Sequence, residues 1–374
     1  MDLGFEGGFD VLSPSISREL HPSWVEKDHG NGWVRLAKTG FRTVFANDIN
    51  EKAKRIWTRN FSKTGHSPEE YYVGSIIDLV KGDRYGCFKF PEADVVTGGF
   101  PCCDFSLSGK RGGFVSDKDH LGNKCSEGQP TEESRGMLYF WMREAISIVK
   151  PKVFVAENVG AMKSLPIVME AIIEDFKSIG YSVKVKTLAC VDFGVPQTRV
   201  RVVFIGIRND LTVTEDAHPS ETHGLGFVDM LPRVTSGQAF LGLEEPGVSK
   251  DPSQNSLSGA KFYGTHMQGQ AEVVSTKPGP TIRAEHHGNI EFRRLSAANG
   301  GKNIHGADEG LPERRLTVRE CARLQTFPDD FEFVGGEKDS RTGGPDAYRA
   351  IGNAVPPLMA YHIAMRLKEV GLFK

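Results

Sequence analysis

Apolar residues along the chain fall into short β-branched runs that alternate with stretches of helical periodicity. FRTVFANDI (41–49) leads straight into NEKAKRIWTRNF (50–61), which predicts a strand and then a helix. ADVVTGGF (93–100) predicts the next strand, and RGMLYFWMREAISIVK places Leu138, Trp141, Met142, Ala145 and Val149 on one helical face. KVFVAENV (152–159) predicts a third strand, PIVMEAIIEDFKSIG (166–180) a helix, and YSVKVKTLA and VRVVFIGIR (200–208) two more strands. Strands apolar on both faces that alternate with helices indicate an α/β fold with a mostly parallel sheet covered on both sides. From 209 to 312 the chain is rich in Gly, Ser, Pro and His and loses periodicity, which predicts a second, loop-rich module. A helical pattern returns in LTVRECARLQTF (316–327), and AYRAIGNAVPPLMAYHIAMRLKEV closes on an amphipathic helix. The polar stretch 13–40 predicts a long surface insertion.

Composition narrows the class. A chain of 374 residues buries a large core, as one large domain with an appendage or as two domains. No leading basic and apolar signal is present, and no apolar run approaches the roughly 20 residues that span a bilayer, so the expected location is the cytoplasm, with no membrane partner. The six cysteines, at 87, 102, 103, 125, 190 and 321, show no CxxC spacing, so they read as reduced thiols rather than as a zinc site or disulfide scaffold. A net charge of -2 argues against histone-like, tail-mediated binding of nucleic acid and leaves room for a local basic cleft.

Candidate chemistry lies where strands end, because doubly wound sheets bind ligands outside the carboxyl ends of their strands. Gly98–Cys103, Glu157 and Asp48 each follow such an end, offering a thiol and two carboxylates on one rim. Each has a blander reading by itself: a cysteine after a strand is usually a small buried hydrophobe, and a strand-end glutamate is usually solvated.

Five ordered motifs carry a resemblance. GGFPCCDFSLSG resembles GGxPCQxFSxxG of the DNA cytosine-5 methyltransferases; FVAENV resembles their ENV strand; QTRVRVVFIG resembles their QxRxR segment. RRLTVRECARLQTFPDDF is similar to RxLTxREAxRLQxFPxxF, and YRAIGNAVPP to YxxIGNAVPP. The resemblance runs along nearly the whole chain and points to the modification enzyme of a bacterial type II restriction–modification system. It implies a Rossmann-like S-adenosylmethionine-dependent methyltransferase sheet with a smaller loop-rich target-recognition domain. The implied division is 1–208 for catalysis and cofactor, 209–312 for target recognition, and 313–374 returning to the catalytic domain.

The resemblance makes Cys102 the nucleophile that adds to carbon 6 of cytosine, so that carbon 5 can take a methyl group from S-adenosyl-L-methionine. Glu157 would hydrogen-bond ring N3 and the exocyclic amine, while Arg199 and Arg201 would hold the pyrimidine carbonyl and Glu157. Cys103 stands where the family has Gln and reads as a packing substitution. Cofactor contacts fall on Asp48 (ribose hydroxyls), Ile49 (adenine), Pro101, Leu138 and Asn353. Ser75 stands where the family has an Asp on the adenine amine, which weakens that contact. Residues 105–134 match the active-site lid, with Ser106, Lys110 and Arg111 on phosphate as the base flips out. Arg283, His286, His287, Asn289, Arg293 and Arg294 concentrate donors in the recognition module. No metal is expected. The expected partner is double-stranded DNA, with a cognate restriction endonuclease as genetic partner and a monomeric enzyme.

Two other readings are compatible with these residues: a transfer-RNA cytosine-5 methyltransferase of the same fold, and a non-catalytic DNA-binding protein or one part of a split enzyme. The last arises from MDLGFEGGFDV, which resembles the family's xxLGFExAGF helix without the strand and DLFxGxGG loop that precede it there. The resemblance thus implies weak cofactor binding by residues 1–374, with the strand encoded upstream or supplied by another polypeptide.

Overall fold

The computed structural model describes residues 1–100, 138–224, 230–265, 267–284, 290–302, 310–335 and 344–373. In chain order its strands are β1 (Asp10–Leu12), β2 (Val25–Asp28), β3 (Trp33–Leu36), β4 (Ala46–Asp48), β5 (Tyr71–Val73), β6 (Val95–Gly99), β7 (Val153–Val159), β8 (Tyr181–Ala189), β9 (Val200–Arg208), β10 (Phe292–Arg294) and β11 (Arg314–Arg315). Its helices are α1 (Asp2–Glu6), α2 (Glu51–Phe61), α3 (Ile76–Tyr85), α4 (Leu138–Val149), α5 (Pro166–Ser178), α6 (Ser236–Phe240), α7 (Pro252–Asn255), α8 (Val318–Leu324), α9 (Gly344–Asn353) and α10 (Pro357–Glu369). Two compact units form: one from 1–42, 189–199 and 220–364, the other from 43–188, 200–219 and 365–374.

The second unit holds the mixed α/β sheet. Its strand order is β6-β7-β9-β8, and β4 and β5 form a separate parallel pair. β6 runs parallel to β7, with Gly99 opposite Glu157. β9 runs antiparallel to β7, with Phe154 opposite Gly206, an antiparallel strand among the parallel β4–β5 and β6–β7 pairs. Parallel neighbours need a crossover of about a dozen residues or more, usually a helix. Between β8 and β9 the chain forms only a 3₁₀ turn at Cys190–Phe193, so β9 enters against β7.

Local sequence sets the helix starts. Asn50 caps α2 by accepting from the Lys52 amide, and Ser75 caps α3 by accepting from the Ile77 amide. α4 is apolar nearly all round and feeds two clusters. Tyr139 and Ile146 pack with Phe154, Ile172, Phe176 and Phe204, while Trp141 and Ala145 pack with Ile77, Val80 and Phe90.

The first unit corrects the reading of 13–40 as a surface insertion. β1, β3 and β2 make an antiparallel sheet in that order, and Val34 and Leu36 are fully buried. Trp24 packs edge-on against Tyr361 at 5.2 Å and His362 at 4.8 Å. The cause is the two-residue alternation Trp33-Val34-Arg35-Leu36, which hides among glycines and charges. Elsewhere in this unit β10 pairs with β11, and α8 opens with a capping box between Thr317 and Glu320.

Candidate active site and recognition surface

Glu157 lies on β7 in a ladder that carries Gly99 directly opposite, and Gly99 precedes Cys102 by three positions. A β-carbon at Gly99 would stand 3.3 Å from Glu157 Oε2, so the carboxylate lies over the bare glycine backbone. Arg201, on β9 and paired with Val159, forms the ion pair with Glu157 Oε1, and both side chains are largely buried. Charge pairing with desolvation of both partners holds the carboxylate in one orientation. Asn158 is buried; its amide donates to the Phe100 carbonyl at 3.4 Å and its Oδ1 accepts from the Val159 amide at 2.8 Å. Asn158 thereby ties the end of β7 to the residue just before Pro101. Its place in the ENV triplet was the signal for this tether.

The cofactor candidates of this unit are placed as follows. Asp48 ends β4, and its Oδ1 accepts from the Asn50 amide at 2.9 Å. Ile49 follows it with 49 % of its surface exposed, an apolar side chain left uncovered beside a carboxylate. That combination fits a ribose diol next to an adenine face. Leu138, at the start of α4, is half-buried. Ser75 is buried and its hydroxyl is spent on the Ile77 amide at 3.2 Å.

Arg199, expected with Arg201 to hold the pyrimidine carbonyl and Glu157, lies in the other unit. It is 1 % exposed and donates through Nη1 to the Ile282 carbonyl at 3.2 Å and through Nη2 to the Gly352 carbonyl at 3.1 Å. The arginine on Glu157 is Arg201, which lies on β9 within its ladder to β7, whereas Arg199 precedes that strand and its guanidinium is taken up by two backbone carbonyls. Gln197, fully buried, accepts from the Ile282 amide and donates to Gln325 Oε1 at 2.6 Å, and Gln325 donates to the Ala354 carbonyl at 2.6 Å. Sequence reading passed over both glutamines, although each sits inside a quoted motif. Asn353 is exposed at the end of α9, between Gly352 and Ala354, which these side chains hold.

Of the recognition candidates, Arg294 is corrected. It is 3 % exposed and doubly bonded to Glu245 at 2.9 and 2.7 Å, and Arg314 bonds the same carboxylate. Burial alone would raise Glu245; hydrogen bonds from Arg294 and Arg314 instead hold it at about 2. Arg293 lies over the Phe240 ring at 4.9 Å and 3.5 Å from Glu320, so it too is engaged within the protein. Arg283 is half-buried and donates to Gln268 Oε1 at 2.5 Å. Pro101, Cys102, Cys103, Ser106, Lys110, Arg111, His286, His287 and Asn289 lie outside the described residues. Among the described residues no cluster of His, Cys, Asp and Glu could hold a metal ion, and no helix is long and apolar enough to cross a membrane.

Comparison with known proteins gives this geometry a family. Residues 29–369 match the family described as C-5 cytosine-specific DNA methylase. The type II methyltransferase M.BspRI of Lysinibacillus sphaericus is 32% identical over 99% of this chain and 79% of its own length. M.NgoFVII of Neisseria gonorrhoeae is 32% identical over 89% of this chain and 82% of its own. Among solved structures, a mutant of Spodoptera frugiperda DNMT2 superposes with a TM-score of 0.55 at 17% identity, covering 89% of this chain and 93% of that one. Entamoeba histolytica methyltransferase EhMeth gives 0.54 at 16% identity, covering 93% and 94%. These last two share the fold. The chain therefore belongs to the C-5 cytosine-specific DNA methylase family and is a DNA (cytosine-5)-methyltransferase.

Proposed function

We propose that the enzyme methylates carbon 5 of a cytosine rotated out of double-stranded DNA at one specific sequence, and so protects that site from a cognate restriction endonuclease. The observation that carries this reading is the Glu157–Arg201 pair lying over Gly99, three positions before Cys102. Cys102 adds as thiolate to carbon 6, which makes carbon 5 nucleophilic enough to bond the methyl group; loss of the carbon 5 proton then expels the thiolate. Glu157 hydrogen-bonds N3 and the exocyclic amine as charge builds on the ring, and Arg201 keeps its carboxylate aimed. Asn158 donates to the carbonyl of Phe100, the residue that precedes Pro101 in the sequence.

Asp48 and Ile49 hold the ribose and adenine of S-adenosyl-L-methionine, with Pro101, Leu138 and Asn353 as further contacts. When bound, this cofactor supplies the methyl group as an electrophile. Ser106, Lys110 and Arg111 contact phosphate in a segment that closes over the flipped base. Residues 1–208 and 313–374 form the catalytic part and 209–312 the recognition part of a monomeric, cytoplasmic enzyme.

The test is methyl transfer from labelled cofactor to duplex DNA and to transfer RNA, with wild type and Cys102→Ser. Label on duplex DNA with wild type alone is expected, and Cys103→Ser retains most of it. Label on transfer RNA alone, or equal loss in the two cysteine variants, would overturn the reading.

A further inference from the structure

Arg283 is held from three directions. Both backbone groups of its neighbour Ile282 are bound by buried side chains, the amide by Gln197 Oε1 and the carbonyl by Arg199 Nη1. The Arg283–Ala284 peptide lies directly on Gly352, where a β-carbon would come within 2.4 Å of Arg283 C and Ala284 N. The guanidinium is then oriented by Gln268 Oε1. Gln268 is itself set on a braced loop. Arg315, 1 % exposed, donates to the carbonyls of Ala260, Lys261, Gly269 and Ile290, and the Tyr263 amide donates to Gln270 Oε1 at 2.9 Å.

An arginine fork matches a phosphate as well as a base edge, but a base edge is read only by a fork aimed at it. The hydrogen-bond partner of Arg283 is a neutral amide, with the buried Glu291 carboxylate within electrostatic reach, whereas Arg294 is paired directly with a carboxylate. Among the described residues its one hydrogen bond uses Nη1, and an arginine fork has donors only. The major-groove base edge that shows two adjacent acceptors, and so takes an arginine fork, is guanine, through O6 and N7.

We propose that Arg283 is a specificity-determining residue that reads a guanine in the major groove of the recognised site, with Gln268 as its positioning residue. This rests on the reading of the enzyme as a sequence-specific DNA methyltransferase. The Tyr263–Gln270 bond, the Ile282 clamp and the Gly352 contact fix the backbone that carries the two side chains, and Gln268 gives the guanidinium its direction.

The experiment begins by mapping the cytosines that wild type methylates in a random-sequence duplex library. Each guanine of that site is then replaced in turn by 7-deazaguanine, which lacks the N7 acceptor, and kcat/KM is measured with wild type, Arg283→Ala, Arg283→Lys and Gln268→Leu. One position is expected at which the substitution costs wild type about 5- to 150-fold. There Arg283→Ala shows no further loss on substitution, while Arg283→Lys and Gln268→Leu are affected at that position and not elsewhere. Uniform weakening of Arg283→Ala on all duplexes, with a shallower salt dependence, would make the residue a phosphate contact and overturn the assignment. So would unchanged discrimination in both Arg283 variants. A wild type that methylates DNA at no preferred sequence would overturn the parent reading, and this one with it, and the mapping step reveals that before any variant is made.

Discussion

Glu157 and Arg294 show how similar charged residues come to different uses. Glu157 is largely buried, but it lies over Gly99 at the strand end, where a ligand can meet it. Glu157→Gln keeps the shape and removes the negative charge. We expect kcat for methyl transfer to fall about 10²- to 10⁴-fold, with a lower unfolding midpoint because Arg201 loses its counter-charge. A rate within a factor of three of wild type would remove Glu157 from the chemistry. Arg294 is the reverse case, since its guanidinium completes a buried group of Glu245, Arg314 and Glu320. Arg294→Ala leaves the part-exposed Glu245 with Arg314 alone and should cost about 1–3 kcal/mol of stability by denaturant titration. If DNA affinity fell while stability held, the residue would return to the recognition surface.

At the scale of elements, helix starts compete with ligand sites for the same polar groups. The Ser75 hydroxyl accepts from the Ile77 amide as the cap of α3, and a capping oxygen satisfies a helix amide that would otherwise lack a partner. Ser75→Ala should therefore destabilise the protein by about 0.5–2 kcal/mol and leave cofactor affinity near wild type by calorimetry. A loss of affinity with unchanged stability would reverse that assignment. Strand pairs show the same economy of contact. Phe154 faces Gly206 across the β7–β9 ladder, and a β-carbon at Gly206 would overlap the ring at 1.9 Å. The glycine in VRVVFIGIR is thus a seat for an aromatic ring rather than a turn residue.

Over the whole molecule the pH response is set by buried histidines of the first unit. His362 is fully buried, edge-on to Trp24 at 4.8 Å and to Phe193 at 5.4 Å, and burial, with His21 and His223 nearby, pushes it well below the ordinary histidine value. Burial also lowers His223, against the opposing effect of the Pro14 carbonyl that its Nε2 meets at 2.8 Å. Both histidines take protons more readily when unfolded. Their contribution is complete above the unfolded value near 6.5 and is lost as pH falls below it. The melting temperature should therefore drop between pH 7 and pH 5, and His362→Gln should flatten that slope. Equal slopes in wild type and variant would place the acid sensitivity elsewhere. Glu245 adds a second loss further down, as pH falls from the usual carboxylate range toward about 2.

The sequence by itself determined the α/β class, a helix over 50–61, the strand that carries Glu157, and the ordered motifs that name the family. These are local properties: periodicity and residue spacing are complete within a dozen positions. Tertiary structure decided what depends on distant partners. It chose Arg201 over Arg199 for Glu157, because strand register sets which side chain meets the carboxylate. It folded 13–40 into a sheet around Val34 and Leu36, since two alternating apolar residues gain weight only when a core is there to receive them. It buried Arg294 and left Arg283 at the surface, although both stand in the same donor-rich stretch. An arginine looks alike in sequence whether it meets Glu245, 49 positions away, or Gln268, 15 positions away, and only the folded chain brings one carboxylate and one amide to the two guanidinium groups.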